Sequence, residues 1–256
     1  MALRVLVLRA AGTNCDAETA HAWRLVGTQT ETVHVKRLIE RPALLRSFQA
    51  LTIPGGFSYG DDIAAGTILA SQLRQSAGDE LRRFIDDGKL VLGICNGFQV
   101  LVKTGLLPDP KRPAPIVTLA FNGSGRFEAR WVRLRTSRAR CRFLPPDTTI
   151  ELPVAHAEGR LTCRDDAVPQ SLIDDDRACL IYIGKDDRPC GYPGNPNGSA
   201  ANIAGLTDAS GQVLGLMPHP ERFVDPTQHP LWARGRSDRA PDGLMIFKSA
   251  AASFST

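Results

Sequence analysis

Four strand-like runs in the first hundred residues, at 3–8, 30–35, 50–53 and 89–94, constrain this chain more than any other feature. Each is followed by a stretch with helical spacing, at 16–25, 38–48, 79–88 and 95–103. Asp16 is placed to cap the first of these helices, and Gly27, Gly88 and Gly105 stand where three of them stop. The strands read as apolar runs and not as alternating ones, so both of their faces must be buried. Strands alternating with helices in this way predict an α/β fold with a doubly wound, mostly parallel sheet flanked by helices. Past Pro108 the texture changes to prolines and short β-like segments at 116–120, 126–134, 149–154, 179–183 and 213–217, with one more helix at 243–252. No repeat or low-complexity linker interrupts the chain. The expectation is a single domain over 1–256 with a β-rich second half, and with loops or insertions at 162–190 and 226–241.

Composition removes several classes of function. With 43% hydrophobic and 23% charged residues the chain is neither disordered nor fibrous. The 31 Lys and Arg against 27 Asp and Glu leave a charge of +4, too small to argue for nucleic acid unless it is clustered. No apolar run approaches the roughly 18 residues that cross a bilayer. Residues 5–8, boxed in by Arg4 and Arg9, read as a strand and not as a signal-peptide core. Cys15, Cys95, Cys141, Cys163, Cys179 and Cys190 form no C-x-x-C pair, so no metal site and no disulfide framework is expected. Reduced thiols in the cytoplasm are the default. The two N-x-S sequons, at Asn122 and Asn197, then read as glycine-containing turns that carry no sugar.

The sharpest chemical feature is Gly93-Ile94-Cys95-Asn96-Gly97, set between a strand and a helix. A nucleophile elbow has this form, with glycines on both sides of a strained residue at a helix N-terminus. There the helix favours a thiolate, and its free N–H groups can stabilise an oxyanion. The pentapeptide alone fits a buried structural cysteine equally well. A thiolate nucleophile needs a proton carrier, and His219 in Met217-Pro218-His219-Pro220-Glu221 follows an apolar run that would deliver it to the sheet edge. Glu221, two residues on, can orient its imidazole, although a proline-rich surface turn reads the same way. Pro54-Gly55-Gly56-Phe57-Ser58-Tyr59-Gly60-Asp61 lies at the carboxyl end of the third strand, where open parallel sheets bind ligands. Cys15 in Gly12-Thr13-Asn14-Cys15-Asp16 is the rival thiol, without flanking glycines or a strand running into it.

Together these motifs resemble the class I glutamine amidotransferases and, within them, the glutaminase subunits of phosphoribosylformylglycinamidine synthase. The resemblance also rests on Ala155-His-Ala-Glu-Gly-Arg160 and Asn195-Pro-Asn-Gly-Ser199, and it spans residues 3 to 224. It implies that Cys95, His219 and Glu221 form the catalytic triad. The N–H groups of Gly56 and Asn96 would form the oxyanion hole, and Gln99 and Gly55 would help bind glutamine. The activity implied is hydrolysis of glutamine through a Cys95 thioester, with the ammonia passed to a partner that amidates formylglycinamide ribonucleotide in purine synthesis. The chain has no G-x-x-x-x-G-K-[ST] phosphate loop. ATP and magnesium are therefore expected on a large synthetase subunit, with a small bridging subunit in many bacteria, and no cofactor is expected in this chain. His156, Glu158 and Arg160 would shape the glutamine pocket, face the partner, or form an exposed turn.

Three other readings stand beside this one. A glutaminase of another amidotransferase fits the elbow and His-Pro-Glu, but not Gly-Phe-Ser-Tyr-Gly-Asp or Asn-Pro-Asn-Gly-Ser. The PfpI-like cysteine proteins usually place histidine directly after the nucleophile, where this chain has Asn96. A non-catalytic binding module would use Arg126, Arg130, Arg133, Arg135, Arg138, Arg140 and Arg142. Phe127, Trp131 and Leu134 punctuate that arginine run as a half-buried sheet would, which favours a solvated strand pair or an anionic partner surface. The expectation is accordingly glutamine and synthetase subunits as partners, with no nucleic acid and no membrane.

Overall fold

The computed structural model describes residues 2–111, 115–137, 140–234 and 240–254. The first half runs β1 (Arg4–Arg9), α1 (Asp16–Leu25), β2 (Gln29–His34), α2 (Val35–Glu40), β3 (Ala50–Ile53), α3 (Thr67–Asp86), β4 (Leu90–Ile94) and α4 (Asn96–Thr104). The second half runs β5 (Val117–Phe121), β6 (Glu128–Thr136), β7 (Thr149–His156), β8 (Glu158–Cys163), α5 (Val168–Asp174), β9 (Ala178–Ile183), β10 (Ile203–Thr207), β11 (Val213–Leu216) and α6 (Asp242–Ala252).

Nine strands form one sheet in the order β2-β1-β3-β4-β11-β10-β9-β6-β7, and β5 pairs with β8 in a separate ribbon. The strands from β2 to β11 are parallel, and those from β11 to β7 are joined antiparallel. Every residue of β3, β4 and β11 is buried, as unalternating apolar strands in the middle of a two-faced sheet require. Strand order reverses between β1 and β3, so the crossovers leave in opposite directions and cover both faces. Accordingly α1 packs with α6, while α3 packs with both α2 and α4. The Trp23 ring meets Phe247 edge-on at 5.2 Å, and its indole N–H reaches Thr52 of β3 at 2.8 Å.

Three elements differ from the sequence-based expectation, each for a local reason. The helix expected at 38–48 is split: α2 stops at Glu40, and a 3-10 turn follows over Pro42–Ser47. Pro42 has no N–H for the helical ladder and disfavours helical geometry at Arg41, which sits at φ −139°. The helix expected from 79 begins at Thr67, after Gly66 in the left-handed region and with no side chain capping it. Leu69, Leu73, Ala77, Leu81 and Phe84 are buried along it at helical spacing.

The loop or insertion expected at 162–190 is the third correction, because that segment holds α5 and β9. Pro169 looks like a breaker in sequence, but it occupies the first turn of α5, where its missing N–H loses nothing. Val168 and Leu172 are buried, and β9 lies inside the large sheet between β10 and β6. In 226–241 the described part carries only short 3-10 turns, Pro226–Gln228 and Trp232–Arg234, before α6 approaches. Residues 235–239 lie outside the described residues.

The elbow glycines are demanded by close packing. A Cβ on Gly97 would lie 1.9 Å from the Ile53 carbonyl oxygen of β3, and one on Gly93 would lie 2.6 Å from the Gly97 oxygen. Gly97→Ala is therefore expected to destabilise the fold by about 1–3 kcal/mol, the usual range for overpacking. Urea unfolding measures this, and an unchanged midpoint would show that α4 is not pressed against β3.

Candidate active site

The site forms where three neighbouring parallel strands end together. β4 lies between β3 and β11, with Ile53 opposite Gly93 and Leu216 opposite Ile94. The Cys95 N–H continues the ladder to the Leu216 oxygen at 2.8 Å. Three residues past Leu216 the chain reaches His219, which emerges at the same sheet edge as Cys95.

Cys95 sits at φ 51° and ψ −105°, a backbone geometry that a residue with a side chain adopts only under constraint. It is 6% exposed, and its Sγ lies 3.8 Å from the Ala155 oxygen of β7. As the residue before α4, it places its sulfur at a helix N-terminus, where the helix dipole favours negative charge. Among the described residues neither the Gly56 nor the Asn96 N–H donates a hydrogen bond, so both are available to an oxyanion. Gly56 takes φ 135°, and a Cβ there would come 2.7 Å from the Asn14 nitrogen.

His219 and Glu221 are both buried, and His219 Nδ1 lies 2.6 Å from Glu221 Oε1. Glu221 belongs to the 3-10 turn Pro220–Arg222, so the turn itself folds the carboxylate back onto the ring. The His219 N–H donates to the Pro153 oxygen at 2.8 Å, a second tether from β7. With Nδ1–H donated to a carboxylate, Nε2 is the ring nitrogen left over, and it has no hydrogen-bond partner among the described residues. Burial works against a charged imidazole, but Glu221 first, and then the sulfurs of Cys95 and Cys15, outweigh it. The His219 pKa consequently sits well above the ordinary histidine range. The Glu221 carboxylate thus favours an imidazolium at His219.

A family model of the CobB/CobQ-like glutamine amidotransferase domain matches residues 2–254. The chain is 44% identical over 250 residues to phosphoribosylformylglycinamidine synthase subunit PurQ of Dehalococcoides mccartyi, covering 97% of this chain and 96% of that relative. It is 39% identical over 263 residues to subunit PurQ of Archaeoglobus fulgidus, covering 96% and 95%. The chain belongs to the PurQ family of glutamine amidotransferases. Among solved structures it is similar to a chain of PurLQS from Thermotoga maritima, with a TM-score of 0.74 and 30% identity over 99% of this chain and 100% of that one. Another glutamine amidotransferase of Thermotoga maritima shares the fold at 13% identity, with a TM-score of 0.56 over 99% and 98% of the two chains.

The other residues singled out in sequence fall into place around this centre. Gly55 adjoins the histidine, since a Cβ there would lie 2.8 Å from His219 Cε1. Gln99 is buried with its amide already engaged: Nε2 donates to the Glu158 oxygen at 2.6 Å, and Oε1 accepts from Asn96 at 3.1 Å. In this arrangement it braces the elbow through one N–H and one oxygen lone pair of its amide. Cys15 lies closer to the site than its sequence context suggests. Its Sγ is 3.1 Å from Arg222 Nη2, and burial pushes its pKa up. Cys15, His219 and Glu221 place ligand-type atoms within 4.8 Å of one another. The Arg222 guanidinium against that sulfur opposes a cation there. An open cavity of about 910 Å³ between α3, the end of α4 and the β5–β8 ribbon includes none of the triad.

The two sequons are internal braces. Asn197 is fully buried and donates to the Gly159 oxygen at 2.7 Å. Asn122 donates to the oxygens of Arg126 and His156, both at 2.8 Å. Of the arginine run, Arg130 pairs with Glu128 and stacks over Tyr192, and Arg133 pairs with Asp187 and Glu151. Arg126, Arg135, Arg140 and Arg142 are exposed, and Arg138 lies outside the described residues. The half-buried strand reading of this segment matches β6, where Arg133 and Arg135 alternate with buried Val132 and Leu134.

Sequence reasoning left His156 open, and the structure makes it a buried neutral base. Both Asn122 Nδ2 hydrogens are used on carbonyls, so its Oδ1 faces His156 Nδ1 at 3.0 Å and must accept from it. Burial, with help from the nearby His219 charge, pushes the His156 pKa down to about 3. In the unfolded chain the same group titrates near 6.5. Above that pH both states are neutral; as pH falls below it the unfolded chain takes the proton first, and stability is lost down to about pH 3. The loss from this group is about 1.4 kcal/mol per pH unit at most. His156→Asn, which keeps a donor toward Asn122, is expected to flatten the decline between pH 6 and pH 4 in a series of thermal melts, while an unchanged decline would assign it to other groups.

Proposed function

We propose that this chain is the glutaminase subunit of a phosphoribosylformylglycinamidine synthase, working in the cytoplasm with large synthetase and small bridging partners. The observation that carries the reading is the juxtaposition at the end of the β4–β11 pair. A positive-φ cysteine at a helix N-terminus stands beside a buried histidine held at 2.6 Å by a buried glutamate.

In this reading Cys95 Sγ, as the thiolate, attacks the side-chain carbonyl carbon of glutamine. The oxyanion accepts hydrogen bonds from the N–H groups of Gly56 and Asn96, which no group among the described residues uses. The His219 imidazolium gives its Nε2 proton to the departing nitrogen, and ammonia leaves as the glutamyl thioester forms. The neutral imidazole then takes a proton from water, which attacks the thioester and releases glutamate and the Cys95 sulfur. Glu221 holds the ring in the tautomer this requires and stabilises its charge. Gly55 leaves room beside the ring where a side chain would displace it. The ammonia passes to the synthetase subunit, which is expected to hold ATP and magnesium and to amidate formylglycinamide ribonucleotide.

Two variants in the assembled enzyme test this reading. Cys95→Ala is expected to abolish glutamine-dependent synthesis and to leave ammonia-dependent synthesis intact. Continued use of glutamine by that variant would remove Cys95 from the chemistry. Glu221→Gln is expected to lower glutamine turnover by about 10²-fold, the lower end of the usual contribution of a positioned acid–base pair. Steady-state rates at saturating glutamine measure it, and a rate near that of the native protein would reduce Glu221 to a packing residue.

A further inference from the structure

The elbow is held from outside its own helix. Asn96, the residue after the nucleophile, is 2% exposed, and every hydrogen-bonding position of its side-chain amide is used. Its Oδ1 accepts from Ser58 Oγ at 2.6 Å and from the Ser58 N–H at 3.3 Å. Its Nδ2 donates to Asp61 Oδ1 and to Gln99 Oε1, each at 3.1 Å. An amide carries two donors and two acceptor lone pairs, so this side chain has no slack. Ser58 and Asp61 belong to one 3-10 turn, which begins two residues after Gly56. That turn is itself constrained: Tyr59 and Asp61 both take positive φ, the Tyr59 N–H donates to the Ala11 oxygen at 2.7 Å, and Asp61 Oδ1 also accepts from the Gly66 N–H at 3.3 Å.

We propose that Ser58 and Asp61 are positioning residues for the oxyanion hole, acting through the side chain of Asn96. The inference rests on the glutaminase reading above. The two unused N–H groups, on Gly56 and Asn96, come from different strand ends, and nothing in β3 or α4 alone sets their separation. The Ser58–Asn96 bonds join the two segments within two residues of each donor. The Asp61 bond prevents the Asn96 amide from turning, and with it the peptide plane that carries the N–H. Because Cys95 stands in a strained conformation, a small relaxation of Asn96 would rotate that plane away from the developing charge. An oxyanion contact is realised in the transition state, so the effect falls on kcat and leaves KM for glutamine in place.

The test uses the chain assembled with its synthetase partner. Ser58→Ala and Asp61→Ala are expected to lower kcat for glutamine about tenfold or more, with KM unchanged, as loss of oxyanion stabilisation does. Alkylation of Cys95 by iodoacetamide needs the thiolate and no oxyanion hole, so its rate is expected to match the native protein. Asp61→Asn keeps an acceptor for Asn96 and is expected to restore most of the turnover. Co-elution of each variant with the synthetase on gel filtration reports assembly. Unchanged kcat in both alanine variants would overturn the proposal. So would a parallel fall in kcat and alkylation rate, which would mean that the network only keeps the elbow folded. If Ser58→Ala does not assemble, the Asp61→Ala and Asp61→Asn pair decides alone. Failure of the glutaminase reading itself would show differently, as glutamine use by a Cys95→Ala complex.

Discussion

The parallel pairing of β11 with β4 is the contact on which the chemistry depends. Leu216 lies opposite Ile94, and the Cys95 N–H bonds the Leu216 oxygen, so a residue near position 95 and one near 219 leave the sheet side by side. Both strands are apolar on both faces and stand in the centre of the sheet, so this pairing buries every residue of each. On the other side β3 ends in the same direction and supplies the glycines that approach the same space. A parallel sheet with this strand order thus gathers cysteine, histidine and two free N–H groups from positions 56 to 219 without a long loop reaching inward.

The antiparallel half contributes enclosure. β7 is the far edge strand of the sheet, yet its Pro153 oxygen binds the His219 N–H and its Ala155 oxygen lies against Cys95. The strands from β10 to β7 must therefore curl back over the carboxyl edge. Buried polar residues help to hold that curl beside the apolar core. Asn197 and Ser199 lock the Gly159 and Leu161 backbone, Asn122 holds the end of β7, and Gln99 reaches the Glu158 carbonyl from below the elbow. These buried amides are satisfied on nearly every atom, which lets them fix geometry without the penalty of an unpaired polar group. The enclosure also explains the opposite charge states of the two buried histidines. His219 has a carboxylate on its Nδ1, whereas His156 has only a neutral amide there.

β1, β3, β4 and the elbow were legible in the amino-acid sequence because unalternating apolar runs and flanking glycines have direct steric causes, whereas β2, an edge strand with only Val33 buried, is not the two-faced apolar strand expected. The Cys-Asn-Gly turn at 95–97 and the His-Pro-Glu turn at 219–221 were visible for the same reason. What the chain order concealed was pairing: no local pattern says that β11 inserts beside β4, or that β7 returns over the site. α5 was hidden by Pro169, which marks a break in some contexts and a first turn in others. The early start of α3 was hidden because Thr67 follows an uncapped left-handed glycine. Gln99 illustrates a third kind of gap. Its place one turn from Cys95 was evident, but its bonds to Asn96 and Glu158 depend on two loops that meet only in the fold.

In the proposed glutaminase, a strained cysteine, a glutamate-held histidine and two N–H groups unpartnered among the described residues would make up the acyl-transfer centre. The most direct test is to quench the complete enzyme with acid while it turns over glutamine and to weigh the peptide that contains residue 95. The account predicts a fraction of that peptide heavier by one glutamyl group, lost on treatment with hydroxylamine and absent when glutamine is omitted. A glutamyl adduct on the Cys15 peptide, or none on any cysteine while glutamate is being released, would contradict it.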